Sequence, residues 1–157
     1  MRARLALVLL ASGLAAAQAP AFKLENNTLV LPAPLVFTGD ALDEGASRAA
    51  LEHVKRFLEE KSYVSLLRIE GHVGAGAEAQ PQSRLRALAV ARWLVSHGVA
   101  CTRVLPVAFG ASKPVSAVAA ENTRMALIVA GLRGRLIGGL PGDGGGEVAG
   151  EACALEP

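Results

Sequence analysis

Aromatic side chains make up only 4% of the 157 residues, there are 2 cysteines, and 16 basic residues stand against 14 acidic ones. So few aromatics leave a core of aliphatic side chains. The two cysteines, Cys101 and Cys153, are not spaced as C-x-x-C, so neither a dithiol redox motif nor a zinc site is indicated. Nucleic-acid affinity comes largely from clustered Lys and Arg, and a nearly neutral chain has no such footprint. No apolar run approaches the roughly twenty residues that a membrane-spanning helix needs. The three histidines, His53, His72 and His97, lie far apart, with neither a G-x-S-x-G elbow nor an H-E-x-x-H pair beside them. Gly74-Ala75-Gly76 lacks the third glycine of a dinucleotide fingerprint, and Gly110-Ala111-Ser112-Lys113 lacks the spacing of a phosphate loop. No catalytic constellation, metal or cofactor is implied.

Hydrophobic residues reach 52%, and the length is that of one domain able to bury about two thirds of its unfolded surface. The first segment reads as an address. Arg2 and Arg4 precede the apolar run from Leu5 to Leu14, and small residues follow through Ala17-Gln18-Ala19. That is the pattern of a secretory signal over residues 1–19, with cleavage fitting best after Ala17 because Pro20 would sit directly behind a cut at Ala19. An uncleaved anchor is the alternative. Removing the signal takes away two arginines and no acid, so the 14 acidic residues are then matched in number. An exported chain also makes a Cys101–Cys153 disulfide the favoured state of the pair, against two unpaired thiols.

The body, residues 20–133, alternates strands and helices. Leu29 to Phe37 reads as an edge or irregular strand, because Pro32 and Pro34 cannot donate to a ladder. Asp43 can cap a helix reaching Lys61, with Ala50, Leu51, Val54, Phe57 and Leu58 on its buried face. Ser65 to Glu70 reads as a second strand. A second helix opens at Pro81 and Ser83, buries Ala87, Val90, Ala91, Leu94 and Val95, and stops at Gly98. Trp93 falls off that stripe, either as a half-exposed indole that marks a contact surface or, more often for such a residue, covering the edge of its own core. Strands follow at Arg103 to Phe109 and Arg124 to Leu132. The fold class is therefore α/β, a two-layer sandwich with two helices on one face of a small mixed sheet. The glycine-rich segment 134–157 reads as a flexible tail unless Cys153 ties it down.

Four strings, in order and in register, carry a family resemblance. They are Phe37-Thr38-Gly39-Asp40-Ala41-Leu42, Ile69-Glu70-Gly71-His72, Ser83-Arg84-Leu85-Arg86-Ala87 with Val90 and Gly98, and Gly110 with Pro114 and Asn122-Thr123-Arg124. Together they resemble the OmpA/MotB-like C-terminal domain, a peptidoglycan-associating module with the order β-α-β-α-β-β. The resemblance implies a ligand, the diaminopimelate of the stem peptide, whose zwitterionic end an arginine and an aspartate read together. An arginine can hold a carboxylate by two parallel charge-assisted bonds, and an aspartate takes the ammonium.

Arg86 stands at the family's arginine position, in the opening turns of the second helix, where backbone N–H groups also favour an anion. The aspartate is replaced by Gly74, in a loop about three residues shorter than usual in the family. Glu78 in that loop and Asp40 near the first helix are the candidates to take the ammonium instead. His72 ends the strand beside the loop, as a ligand contact or a hydrogen-bonded structural group, and Arg124 either holds the last strand or touches ligand. The resemblance implies a non-enzymatic envelope protein in the periplasm, soluble or held at the outer membrane by partner proteins. A degenerate scaffold for protein interaction, without peptidoglycan binding, is the other reading.

Overall fold

The computed structural model describes residues 21–139 and 141–155. The signal expected at residues 1–19 lies outside the described residues. Strands β1 (Lys23–Glu25) and β2 (Thr28–Val30) form a hairpin. Its turn is Asn26-Asn27, with φ of 48° and 63°, a left-handed conformation that asparagine tolerates better than most residues. The strand expected from Leu29 to Phe37 is broken. Pairing stops at Val30 before the two prolines and resumes in a separate small hairpin, β3 (Phe37–Thr38) with β4 (Ala41–Leu42).

Helix α1 (Glu44–Glu60) begins at the expected cap, where the Asp43 carboxylate accepts from the Ala46 N–H at 3.0 Å. Next come β5 (Val64–His72) and α2 (Ala79–Ser96). Pro81 sits in the first turn of α2, where its missing N–H has no helical partner to lose. Strands β6 (Val104–Gly110) and β7 (Arg124–Leu132) lie within a residue of their expected positions. Two further strands are only two residues long: β8 (Arg135–Leu136) and β9 (Glu147–Val148).

One sheet runs in the order β1-β2-β7-β5-β6-β9, with β8 also paired to β7. Among the described residues only β5 and β6 are parallel, joined through α2; the other neighbours are antiparallel. Alternation along the central strands divides the sheet into two faces. Leu67, Ile69, Leu127 and Val129 face the helices and pack with Leu51, Val54, Phe57, Val90 and Leu94 in one aliphatic core. Trp93 belongs to that core too. It is 7% exposed rather than half exposed, because His97 stacks on the indole at 3.8 Å between centroids. Arg103 closes one end of the core, donating to the carbonyls of Leu58, Lys61 and Val64. It thereby satisfies carbonyls that the end of α1 would otherwise leave without partners.

The opposite face of the sheet is covered by the chain after β7. Gly138 packs against Ala130, and the carbonyls of Gly138 and Gly139 accept from the Arg68 guanidinium at 3.0 and 3.1 Å. Gly146 lies against the Phe109 ring, and β9 adds to the outer edge of β6. Ala149 and Ala152 are buried, and a disulfide joins Cys153 to Cys101. The segment expected to be flexible unless tied is tied, and its glycines let backbone approach the sheet closely.

Candidate functional site

The opening turns of α2 face the β3–β4 hairpin. Ser83 fixes that helix end: its Oγ donates to the Gln80 carbonyl and accepts from the Gly110 N–H, both at 2.9 Å. One turn on, Arg86 reaches the hairpin. Its guanidinium donates to the Gly39 carbonyl at 2.8 Å and lies 5.1 Å from the centre of the Phe37 ring. Gly39 has φ of 62°, a left-handed conformation that favours glycine at the hairpin turn that presents this carbonyl.

The Asp40 carboxylate lies beside the same guanidinium. Arg86 Nε and Asp40 Oδ1 are 3.8 Å apart, with side chains 17% and 34% exposed. Neither atom has a hydrogen-bond partner among the described residues. The two charges are thus juxtaposed without closing into a bidentate pair, and a fork of five donors on Arg86 is only partly used.

The other expected residues are not all brought here. Glu78 precedes α2, makes no side-chain cap, and its exposed carboxylate has no partner among the described residues. Gly74 is buried, and its N–H donates to Thr123 Oγ1 at 2.9 Å. A Cβ on Gly74 would lie 2.5 Å from the Ala119 carbonyl oxygen. The segment before β7 therefore fills the space into which a side chain at position 74 would project. Changing Gly74→Asp should not restore a ligand contact; it should destabilise the fold by about 1–2 kcal/mol through overpacking, read as a lower urea midpoint.

His72 lies on the tail-covered face of the sheet, away from α2. It is 2% exposed, stacks on Phe109 at 5.0 Å, and its Nε2–H donates to Glu70 Oε2 at 3.1 Å. Arg124 donates to the carbonyls of Asn122 and Lys113, both at 3.2 Å. Burial lowers its pKa and the nearby Glu70 charge opposes that. These contacts tie the loop before β7 to the strand. Arg124 also lines a cavity of ≈ 340 Å³ with Leu31, Pro34 and Met125, and Gly74 lines another of ≈ 270 Å³ with Lys113, Ala119 and Asn122. Arg86 lines neither.

β5 also carries a buried ionic row, of which only His72 is a candidate site residue from the sequence. Arg68, Glu70 and His72 alternate along the strand, 6%, 5% and 2% exposed. Arg68 Nε donates to Glu70 Oε1 at 2.6 Å while His72 engages the other carboxylate oxygen. Burial alone would raise the Glu70 pKa, but the His72 hydrogen bond and the Arg68 charge outweigh it, and the net shift is downward. The signal was available as charged residues at every second position of a strand whose other face is Leu67 and Ile69. Without knowledge of a cover for that face, nothing in the sequence joins the three into one buried group, although His72 is the hydrogen-bonded structural group that one of its two readings expects.

Comparison with known proteins agrees with this architecture. The OmpA-like domain of FopA1 from Francisella tularensis subsp. tularensis SCHU S4 has a similar structure, with a TM-score of 0.54 at 18% identity, over 68% of this chain and 75% of that one. At that identity the likeness concerns the fold. No curated protein matches the chain. The sequence model of the OmpA family matches residues 39–126, from the turn that carries Asp40 into β7. Since that stretch is more than half of the chain and holds both helices and strands β5 and β6, the protein belongs to the OmpA family.

Proposed function

We propose that the protein is a non-enzymatic cell-envelope module that associates non-covalently with peptidoglycan, holding the amino-acid end of a stem-peptide diaminopimelate between Arg86 and Asp40. Domains of this family generally associate with peptidoglycan and occur in envelope proteins. The observation that carries the reading is the juxtaposition of Arg86 with Asp40, opposite charges 3.8 Å apart whose buried facing atoms share no hydrogen bond. Arg86 supplies donors for a carboxylate, and Asp40 supplies an acceptor for an ammonium. Asp40 then takes the role that the family gives to an aspartate at the Gly74 position, while Glu78 is left out. Export by the signal at residues 1–19 would deliver the chain to the periplasm, where envelope proteins are further partners.

A second reading, a scaffold without peptidoglycan binding, is favoured by one observation. Arg86 already donates to Gly39 and lines neither of the neighbouring cavities. Co-sedimentation with purified sacculi at low salt separates the two. Wild type should pellet, and both Arg86→Ala and Asp40→Asn should pellet less, each losing about tenfold or more in affinity because one charge-assisted contact is gone. Wild type remaining in the supernatant would establish the scaffold, and equal pelleting of all three would move the site elsewhere.

A further inference from the structure

The segment from Pro141 to Cys153 is held in two different ways. At its end the hold is covalent, through the disulfide to Cys101, which lies just before β6. Elsewhere the hold is non-covalent. β9 pairs with β6 through two residue pairs, Val107 with Val148 and Ala108 with Glu147. The Ala149 N–H donates to the Pro106 carbonyl at 2.9 Å, and Arg84 donates to the Ala149 carbonyl at 2.8 Å. Ala149 and Ala152 join the aliphatic core, Ser112 Oγ donates to the Gly144 carbonyl at 3.3 Å and Arg84 pairs with Glu147 at 3.5 Å, whereas Val148 is 49% exposed. A ladder of two residues and a few small side chains give little to offset the entropy of ordering this stretch.

The stretch is also built to move. Gly142, Gly144, Gly145 and Gly146 precede β9, and Gly145 has φ of 79°. Beneath it lies a surface held in place by other elements. The Phe109 ring is 1% exposed and already stacked on His72, and β6 is bonded to β5 along its other edge. Cys153 is an exposed residue, and attack by a thiolate on a disulfide sulfur is how disulfides open.

We propose that residues 141–153 are a disulfide-latched cover over the outer edge of β6 and the Phe109 ring, released by a dithiol reductant. A reductant thiolate attacks Cys153 Sγ, the S–S bond breaks, and Cys101 leaves as a thiolate that takes a proton. The second reductant thiol then displaces Cys153 as a thiol. The reductant ends as its cyclic disulfide, and two electrons have passed to the protein. Released at that end, the segment swings on its glycines and exposes a β-edge and an aromatic ring.

Amide hydrogen exchange on the intact chain, with and without dithiothreitol, tests this. In the oxidised protein the Ala149 amide should be protected; on reduction its exchange should quicken by about a hundredfold or more, while the Leu67 and Val129 amides of the central sheet keep their protection. Cys153→Ser without reductant should show the same pattern. Unchanged Ala149 protection in both would mean that non-covalent contacts suffice, and the proposal fails. Equal acceleration at Ala149, Leu67 and Val129 would mean that the disulfide supports the whole domain, which also overturns it. A loss of sacculus binding by Arg86→Ala with the latch pattern intact, or the reverse, keeps this inference separate from the peptidoglycan reading.

Discussion

Glu70→Ala is expected to destabilise the protein by about 3–5 kcal/mol, because removing one member of a buried ionic group leaves the others without compensation. Here the carboxylate has a partner on each oxygen, Arg68 at 2.6 Å and His72 at 3.1 Å, and all three side chains are at least nine-tenths buried. With Glu70 gone, the Arg68 charge keeps only the carbonyls of Gly138 and Gly139, and His72 loses its acceptor. Urea unfolding of wild type and variant measures the loss. Replacing the row together, as Arg68→Met, Glu70→Leu and His72→Phe, should cost far less, since apolar groups of similar volume often match a buried ionic cluster.

The same row sets a pH dependence. The Glu70 pKa lies below its ordinary 4.5 in the fold. A depressed carboxyl pKa contributes stability that is present above the unfolded value and lost as pH falls through the folded one. Wild type should therefore lose this stability on acidification below about pH 4.5, and Glu70→Gln, already weaker at neutral pH, should show a flatter acid limb. Equal acid slopes would remove Glu70 from the account.

Gly71→Ala should be the other severe change, about 3 kcal/mol and at the upper end of overpacking. A Cβ at this position would fall on the Ser83 carbonyl, with the carbonyl carbon at 2.9 Å. The neighbour is helix backbone, so no side chain can turn aside. Relief requires the start of α2 to lift from β5, which would also carry Arg86 away from Gly39 and Asp40. Both a lower thermal midpoint and weaker sacculus pelleting should follow, and a normal midpoint would show that α2 accommodates the methyl.

The elements with strong periodicity were legible. α1 announced itself by its stripe and the Asp43 cap, and β7 by the alternation of Met125, Leu127 and Val129. The first strand was harder. Leu31 to Phe37 alternates like a strand, yet Pro32 and Pro34 remove donors, and the ladder ends at Val30. The β1 hairpin was missed although Asn26-Asn27 is a turn signal, because three-residue strands carry too little pattern. The candidate site was half legible. Arg86 could be placed by its string on α2, but whether Asp40 or Glu78 would approach it depended on how the hairpin docks on the helix.

The sequence by itself determined an α/β domain with two helices on one face of a mixed sheet, and membership of its family could be read from four strings in register. Those are consequences of periodicity and local backbone preference, which act between near neighbours in the chain. Tertiary structure alone decided that Ala119 occupies the space beside Gly74, that Asp40 meets Arg86, and that the glycine-rich segment covers Arg68, Glu70 and Phe109. Such contacts join residues dozens of positions apart, and their energies depend on desolvation and close backbone approach, which exist only once the chain has folded.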